Sequence, residues 1–181
     1  MRIERIPFLS MALVLLIAIG CGGEDFEIDY SGFDCIANNP NFDPEPIPAP
    51  TGTHQLSFTP NKSITINGTD PENGIDVING RNRVFQYRYQ LQDTQLDRQL
   101  YFEIEPGIDS FTVSGSSLAD INTYLARSCE CPDSPQGVFA VDQGCIIGQR
   151  LDANNWEVSI NITVPTGGET LELMATAVFQ K

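Results

Sequence analysis

The sequence predicts an all-β chain, an antiparallel β-sandwich with one short helix, and leaves a closed antiparallel β-barrel as the alternative. Three observations predict it. Apolar and polar residues alternate with period two through most of the chain from His54 onward, turn signals separate the alternating runs, and helical spacing holds over only one short segment. Period two places successive side chains on opposite faces of a strand, so each run reads as half-buried.

The runs can be justified in order. Short candidates lie at 55–59, 63–67 and 75–79, with turn signals at Asn67-Gly68, Asn73-Gly74 and Asn79-Gly80. Residues 84–92 put Phe85, Tyr87, Tyr89 and Leu91 on one face and Gln86, Arg88 and Gln90 on the other. Residues 100–105 alternate Leu100, Phe102 and Ile104 against Tyr101, Glu103 and Glu105, and a short run follows at 110–114. Ser117 is placed to cap a helix, with Asp120 three residues on and Leu118, Ile121 and Leu125 at helical spacing; this helix should end near Ser128. Further strands are expected at 137–141 and 145–151. Trp156, Val158, Ile160, Ile162 and Val164 form the clearest apolar face, and Leu171, Leu173, Ala175, Ala177 and Phe179 form the last. The turn signals between these final runs, Asp152 to Asn155 and Thr166-Gly167-Gly168, make them an antiparallel meander. Strands with one polar and one apolar face suggest two packed sheets, although a barrel alternates in the same way.

The front of the chain has a different character. Arg2 and Arg5 precede an apolar run from Phe8 to Ile19, broken only by Ser10. A helix of that length spans ~18 Å, too short for a hydrocarbon core of ~30 Å, so an export signal over 1–20 is the stronger reading. Its ending, Ala18-Ile19-Gly20-Cys21, resembles the lipobox of bacterial lipoproteins, although Ala18 stands where Leu is usual. The resemblance implies cleavage before Cys21, lipid on its thiol, and a membrane as partner through that anchor. Two or three acyl chains hold stably where one holds marginally. Gly22 after the cysteine, in place of Asp, favours the outer membrane on the same resemblance.

Residues 21–50 read as the lipidated cysteine and an acidic, Pro-rich tether. They carry Glu24, Asp25, Glu27, Asp29, Asp34, Asp43 and Glu45 without Lys or Arg, and Pro40, Pro44, Pro46, Pro48 and Pro50 stiffen the second half. Residues 51–181 form the single all-β domain. The hydrophobic content of 41% is that of a globular protein, and the formal net charge is −14. Phosphate binding needs clusters of Lys and Arg, so nucleic acid is excluded as a partner. The same acidity argues against lying on anionic lipid and is accounted for by solubility.

Lipid on Cys21 leaves Cys35, Cys129, Cys131 and Cys145, an even number in an oxidising compartment, and two disulfides are expected. A bridge between Cys129 and Cys131 would close a very tight ring, so each is expected to reach elsewhere, to Cys35 and Cys145. The zinc alternative would use Cys129, Cys131 and Cys145 with His54, but lacks the usual ligand spacing.

The chain also resembles a recurrent kind of lipoprotein from Bacteroidetes. The likeness rests on the acidic stretch after Cys21, on Phe85-Gln86-Tyr87-Arg88-Tyr89, Leu100-Tyr101-Phe102-Glu103-Ile104 and Cys129-Glu130-Cys131, and on the strand Trp156-Glu157-Val158-Ser159-Ile160-Asn161-Ile162. It implies an envelope address, and Glu24 and Asp25 are consistent with the outer face of the outer membrane. It implies no activity and assigns no catalytic residue.

Candidate chemistry is sparse. His54, the single histidine, would have to serve as base in any Ser-His-Asp device, and no Gly-x-Ser-x-Gly elbow accompanies it. Glu103 and Glu105 lie ~7 Å apart on one strand face, a pair that could serve glycan hydrolysis but reads better as a solvated face. Asp70, Glu72 and Asp76 alternate around Gly74 as weak calcium candidates, and an ordinary hairpin turn explains them equally well. Phe85, Tyr87 and Tyr89 would make a sugar platform if exposed; with Leu91 continuing the row, a core face is preferred. No cofactor is expected. The sequence therefore favours a non-enzymatic binding or structural accessory module of the cell envelope, with an envelope protein or a glycan as partner. A carboxylate-based glycan hydrolase and a ligand-carrying barrel are the alternatives.

Overall fold

The computed structural model describes residues 52–91, 95–131, 134–166 and 170–181. The segments read as export signal and tether, with Cys21 and Cys35, lie outside them. The described chain is all-β. Its strands are β1 (Thr53–Ile66), β2 (Ile75–Leu91), β3 (Leu96–Ile104), β4 (Ser110–Ser114), β5 (Tyr124–Ser128), β6 (Gly137–Ala140), β7 (Gln143–Arg150), β8 (Asn155–Pro165) and β9 (Thr170–Gln180). Their order is β4-β7-β8-β9-β1-β2-β3-β5-β6.

All pairings are antiparallel except that of β1 with β9, a parallel bridge with the single register pair Ser57 and Gln180. That slender junction divides the sheet into two halves, β1-β2-β3-β5-β6 and β9-β8-β7-β4, whose apolar faces meet as a sandwich. Phe85 of β2 shows the contact. Its ring stacks on Phe58 and Phe102 of its own half at 5.4 and 4.9 Å between centroids, and meets Trp156 and Phe179 of the other half edge-on at 5.5 and 5.7 Å. Edge-to-face geometry suits the aromatic quadrupole. The expected apolar faces of the last two strands are here: Trp156, Val158, Ile160, Ile162 and Val164 are all buried, as are Leu171, Leu173, Ala175 and Phe179. Strands β7, β8 and β9 form the predicted meander. The outermost strands β4 and β6 do not pair with each other, so the sheet is open and the barrel alternative, with its enclosed ligand, is overturned.

Two local expectations also fail. The segment predicted as a helix holds one 3₁₀ turn, Gly115–Leu118, followed by strand β5. Asn122 adopts a left-handed conformation at φ 50°, while its N–H bonds to the carbonyl of Ala119 and that of Thr123 to the carbonyl of Leu118. This is the geometry that closes a helix end. Beyond it Leu125 faces the core and Ala126 the opposite face, a period-two pattern too short to be seen in sequence.

The second failure concerns Asn79-Gly80, which is not a turn. The runs at 55–59 and 63–67 are one strand, β1, and those at 75–79 and 84–92 are one strand, β2. Lys62 pairs with both Asn79 and Asn82, so Asn61 on one strand and Gly80 and Arg81 on the other are extra residues in a bulge. Bulges bend and twist a ladder. Past the bend, the distal arm of the β1–β2 hairpin lies across the outer face of its own half-sheet. The Ile64 N–H donates to Glu103 on β3, the Val138 N–H on β6 donates to the Thr69 carbonyl at 3.2 Å, and Gly74 sits against the Val138 side chain.

Candidate binding cleft

Register assembles a polar floor on that outer face. With Phe85, Tyr87, Leu100 and Phe102 turned to the core, the alternate residues of β1, β2, β3 and β5 line up in cross-strand rows. One row is Thr53, Gln90, Asp97 and Ser128; the next is Gln55, Arg88, Gln99 and Ala126; a third is Ser57, Gln86, Tyr101 and Tyr124. Directly opposed residues on one face are near neighbours, and here they bond to one another.

The Arg88 guanidinium donates to both carboxylate oxygens of Asp97, with Nε at 3.1 Å from Oδ1 and 3.0 Å from Oδ2, and closes the pair through its terminal nitrogen. The Gln90 and Gln99 amides donate to Asp97 Oδ2 at 3.3 and 3.4 Å. The Tyr101 hydroxyl donates to Gln99 Oε1 at 2.6 Å and accepts from Gln86 Nε2 at 3.0 Å. A fork-on-carboxylate pair is among the stronger polar contacts and fixes the planes of both groups. Asp97 keeps Arg88 protonated even more firmly than usual, and burial raises the Tyr101 phenol above its ordinary value of 10.0.

Above the first row is a cleft of about 400 Å³. Thr53, Gln90, Asp97 and Ser128 are its floor, Glu72 from the turn of the hairpin arm is a wall, and Leu91, Gln95 and Leu96 form a rim. Gln95 holds a left-handed backbone at φ 48°, unusual for a residue that is not Gly, Asn or Asp.

The residues singled out in the sequence lie elsewhere or serve the fold. Glu103 is buried rather than solvated: one carboxylate oxygen accepts from the Ile64 N–H and the other from the Asn82 side-chain amide. Glu105 is exposed. His54 lies on the inner face, its Nδ1 at 3.0 Å from the Tyr87 hydroxyl and its ring 4.8 Å from that of Tyr89. Burial lowers its pKa below 6.5, and burial pushes the Tyr87 phenol up to about 12. Phe85 and Tyr87 are core residues and Tyr89 is half-buried, so they offer no external platform.

Asp70 is occupied within its own turn, accepting from the Glu72 N–H at 2.9 Å and from Asn73 Nδ2 at 3.1 Å; these bonds hold its carboxyl below the usual range. Asp76 accepts from Asn67 Nδ2 at 2.5 Å. Among the described residues no three His, Cys, Asp or Glu side chains gather to hold a metal, so Asp70, Glu72 and Asp76 are not brought together as a calcium site.

Cys129 and Cys131 are bonded to each other, contrary to the expectation that each reaches elsewhere. Their Cα atoms are 5.2 Å apart, within the ordinary disulfide range, because the chain leaving β5 curls around Glu130. Cys145 is disulfide-bonded as well. These bonds take the thiolates that the zinc alternative requires.

The residues that sequence reasoning missed are Asp97 and Gln99. Arg88 and Gln90 were already visible as a polar face, and starting the next strand at Leu96 rather than Leu100 would have set Asp97 and Gln99 opposite them. No family model matches the chain, no curated protein matches its sequence, and no solved structure matches its fold.

Proposed function

We propose that this protein is a lipid-anchored component of the cell envelope, held by acyl chains on Cys21 at the outer membrane, whose β-sandwich is a non-enzymatic binding or structural accessory module. One observation carries the binding reading: a hydrogen-bonded polar floor opens into a cleft, while Glu103 and His54, first considered for catalysis, are spent on the fold. Glu103 has a donor on each oxygen, and His54 is set against Tyr87 and Tyr89. The Ala18-Ile19-Gly20-Cys21 sequence supports the anchor.

The anchor is tested by growing cells with radiolabelled palmitate and isolating the protein from wild type and from a Cys21→Ala variant. Label in the wild type alone, with the variant released from the membrane fraction, is expected. Equal labelling of the two, or none in either, removes the lipoprotein reading.

A further inference from the structure

We infer that the cleft over Thr53, Gln90, Asp97 and Ser128 binds a neutral glycan. This inference rests on the reading of the domain as a binding module and names the ligand class of that site.

The lining selects the class. A sugar hydroxyl both donates and accepts, and the cleft lining offers both kinds of partner: the Asp97 and Glu72 carboxylates accept, the Gln90 and Gln95 amides do both, and the Thr53 and Ser128 hydroxyls rotate to suit. Among the described residues, Asp97 Oδ1 takes a bond only from Arg88 Nε, which leaves it acceptor capacity, while Oδ2 is engaged by Arg88, Gln90 and Gln99. The volume lies within the range of small-ligand sites.

Charge removes the competitors. An anionic glycan or a phosphate would meet the Glu72 carboxylate on a chain of net charge −14 and no cation among the lining residues, the nearby guanidinium of Arg88 being already committed to Asp97. Among the described residues, a polyamine would find the charge of Asp97 compensated and only the Glu72 carboxylate to bind. The floor is also organised before any ligand arrives. Asp97 is gripped by Arg88, Gln90 and Gln99, so little side-chain freedom remains to be lost on binding. Gln95, in its left-handed conformation, marks the cleft as a place where the backbone departs from its easiest path.

The test uses the full lipidated protein in detergent micelles and titration calorimetry. The probes are neutral cello-, xylo-, manno- and chito-oligosaccharides, with oligogalacturonate and chitosan oligomers as acidic and basic comparators. At least one neutral oligosaccharide should bind. Asp97→Asn and Gln90→Ala should weaken it about tenfold, the scale of one lost polar partner. Glu157→Ala, on the exposed face of the other half-sheet, should leave it unchanged. A thermal melt checks each fold, and if Asp97→Asn has not folded, Glu72→Gln in the wall and Thr53→Val in the floor carry the test. Absence of binding across the neutral set, preference for an acidic or basic comparator, or wild-type affinity in the folded variants overturns the inference. Chromatography of the titrated sugars separates this result from the function above: cleavage of a bound oligosaccharide supports the site and removes the non-enzymatic reading. Loss of the palmitate result removes the anchor and leaves the site standing.

Discussion

Glu103 is the residue whose context most changes its meaning. In sequence it is the polar half of an alternating strand; in the fold it is a buried acceptor for the Ile64 backbone N–H of the hairpin arm. Removing a charged partner and leaving a buried donor unsatisfied costs about 2 to 3 kcal/mol. Glu103→Ala should therefore lower the urea midpoint by that amount, and Glu103→Gln by less, since an amide keeps one acceptor. A midpoint unmoved by Glu103→Ala would mean that water satisfies Ile64. His54 sets a second residue-scale expectation. Its folded pKa lies below 6.5, so the unfolded chain takes up a proton first as pH falls. Stability from this group is complete above pH 6.5 and declines as pH drops from there toward the folded value. Denaturation at about pH 7.5 and about pH 5 should show the decline in wild type and a shallower one in His54→Gln. Asp70 and Asp152, both held below their ordinary 3.8 by hydrogen bonds, add their loss only at more acid pH.

At the scale of elements, the sequence was most legible where burial is one-sided and long. The Trp156-to-Val164 face needs only period two, because each inward position is apolar and each outward one polar, and the strand is as read. Where a neighbour decides the conformation, the same reasoning fails. Asn79-Gly80 carries a strong hairpin signal, yet the ladder with β1 continues on either side, and Gly80 is chosen for closeness rather than for a turn. A Cβ there would lie 2.0 Å from the Ser63 hydroxyl oxygen and 2.8 Å from the Lys62 backbone carbon. Gly80→Ala should destabilise by about 1 to 3 kcal/mol, the range for forcing atoms into a packed place. It should also loosen the arm, which hydrogen exchange at Ile64 and Val138 would report as faster opening. The segment from Ser117 to Ser128 misled for the converse reason. Its helical spacing is real for one turn, and Asn122 then ends it, but a five-residue strand supplies too few periods to outweigh the cap. The cleft was half legible: Gln86, Arg88 and Gln90 were visible as a polar face, but the partners Asp97 and Gln99 follow only from register, and Glu72 only from the fold-back of the arm.

The whole molecule is held by a core in which one ring touches both halves. Phe85 contacts Phe58, Phe102, Phe111, Trp156 and Phe179, so its removal opens a void that neither half-sheet can close alone. Phe85→Ala should cost about 3 to 5 kcal/mol, and Trp156, which is 1% exposed, should report the loosening as a red shift of its emission. An unshifted spectrum with a small change in stability would mean that the halves repack around the gap. The single bridge between β1 and β9 contributes little beside this. The paired aromatic faces, not the continuous ladder, make the two halves one body.

The length of β1 has a mechanical consequence. Its 14 residues are paired with β2 along nearly their whole run, so a pull applied at Thr53, where the strand begins, acts on the whole ladder. A pull along the strand axis loads those hydrogen bonds together in shear instead of breaking them one after another. Traction applied there is thus spread over the long β1–β2 ladder, with the cleft floor at Thr53 beside the point of pull.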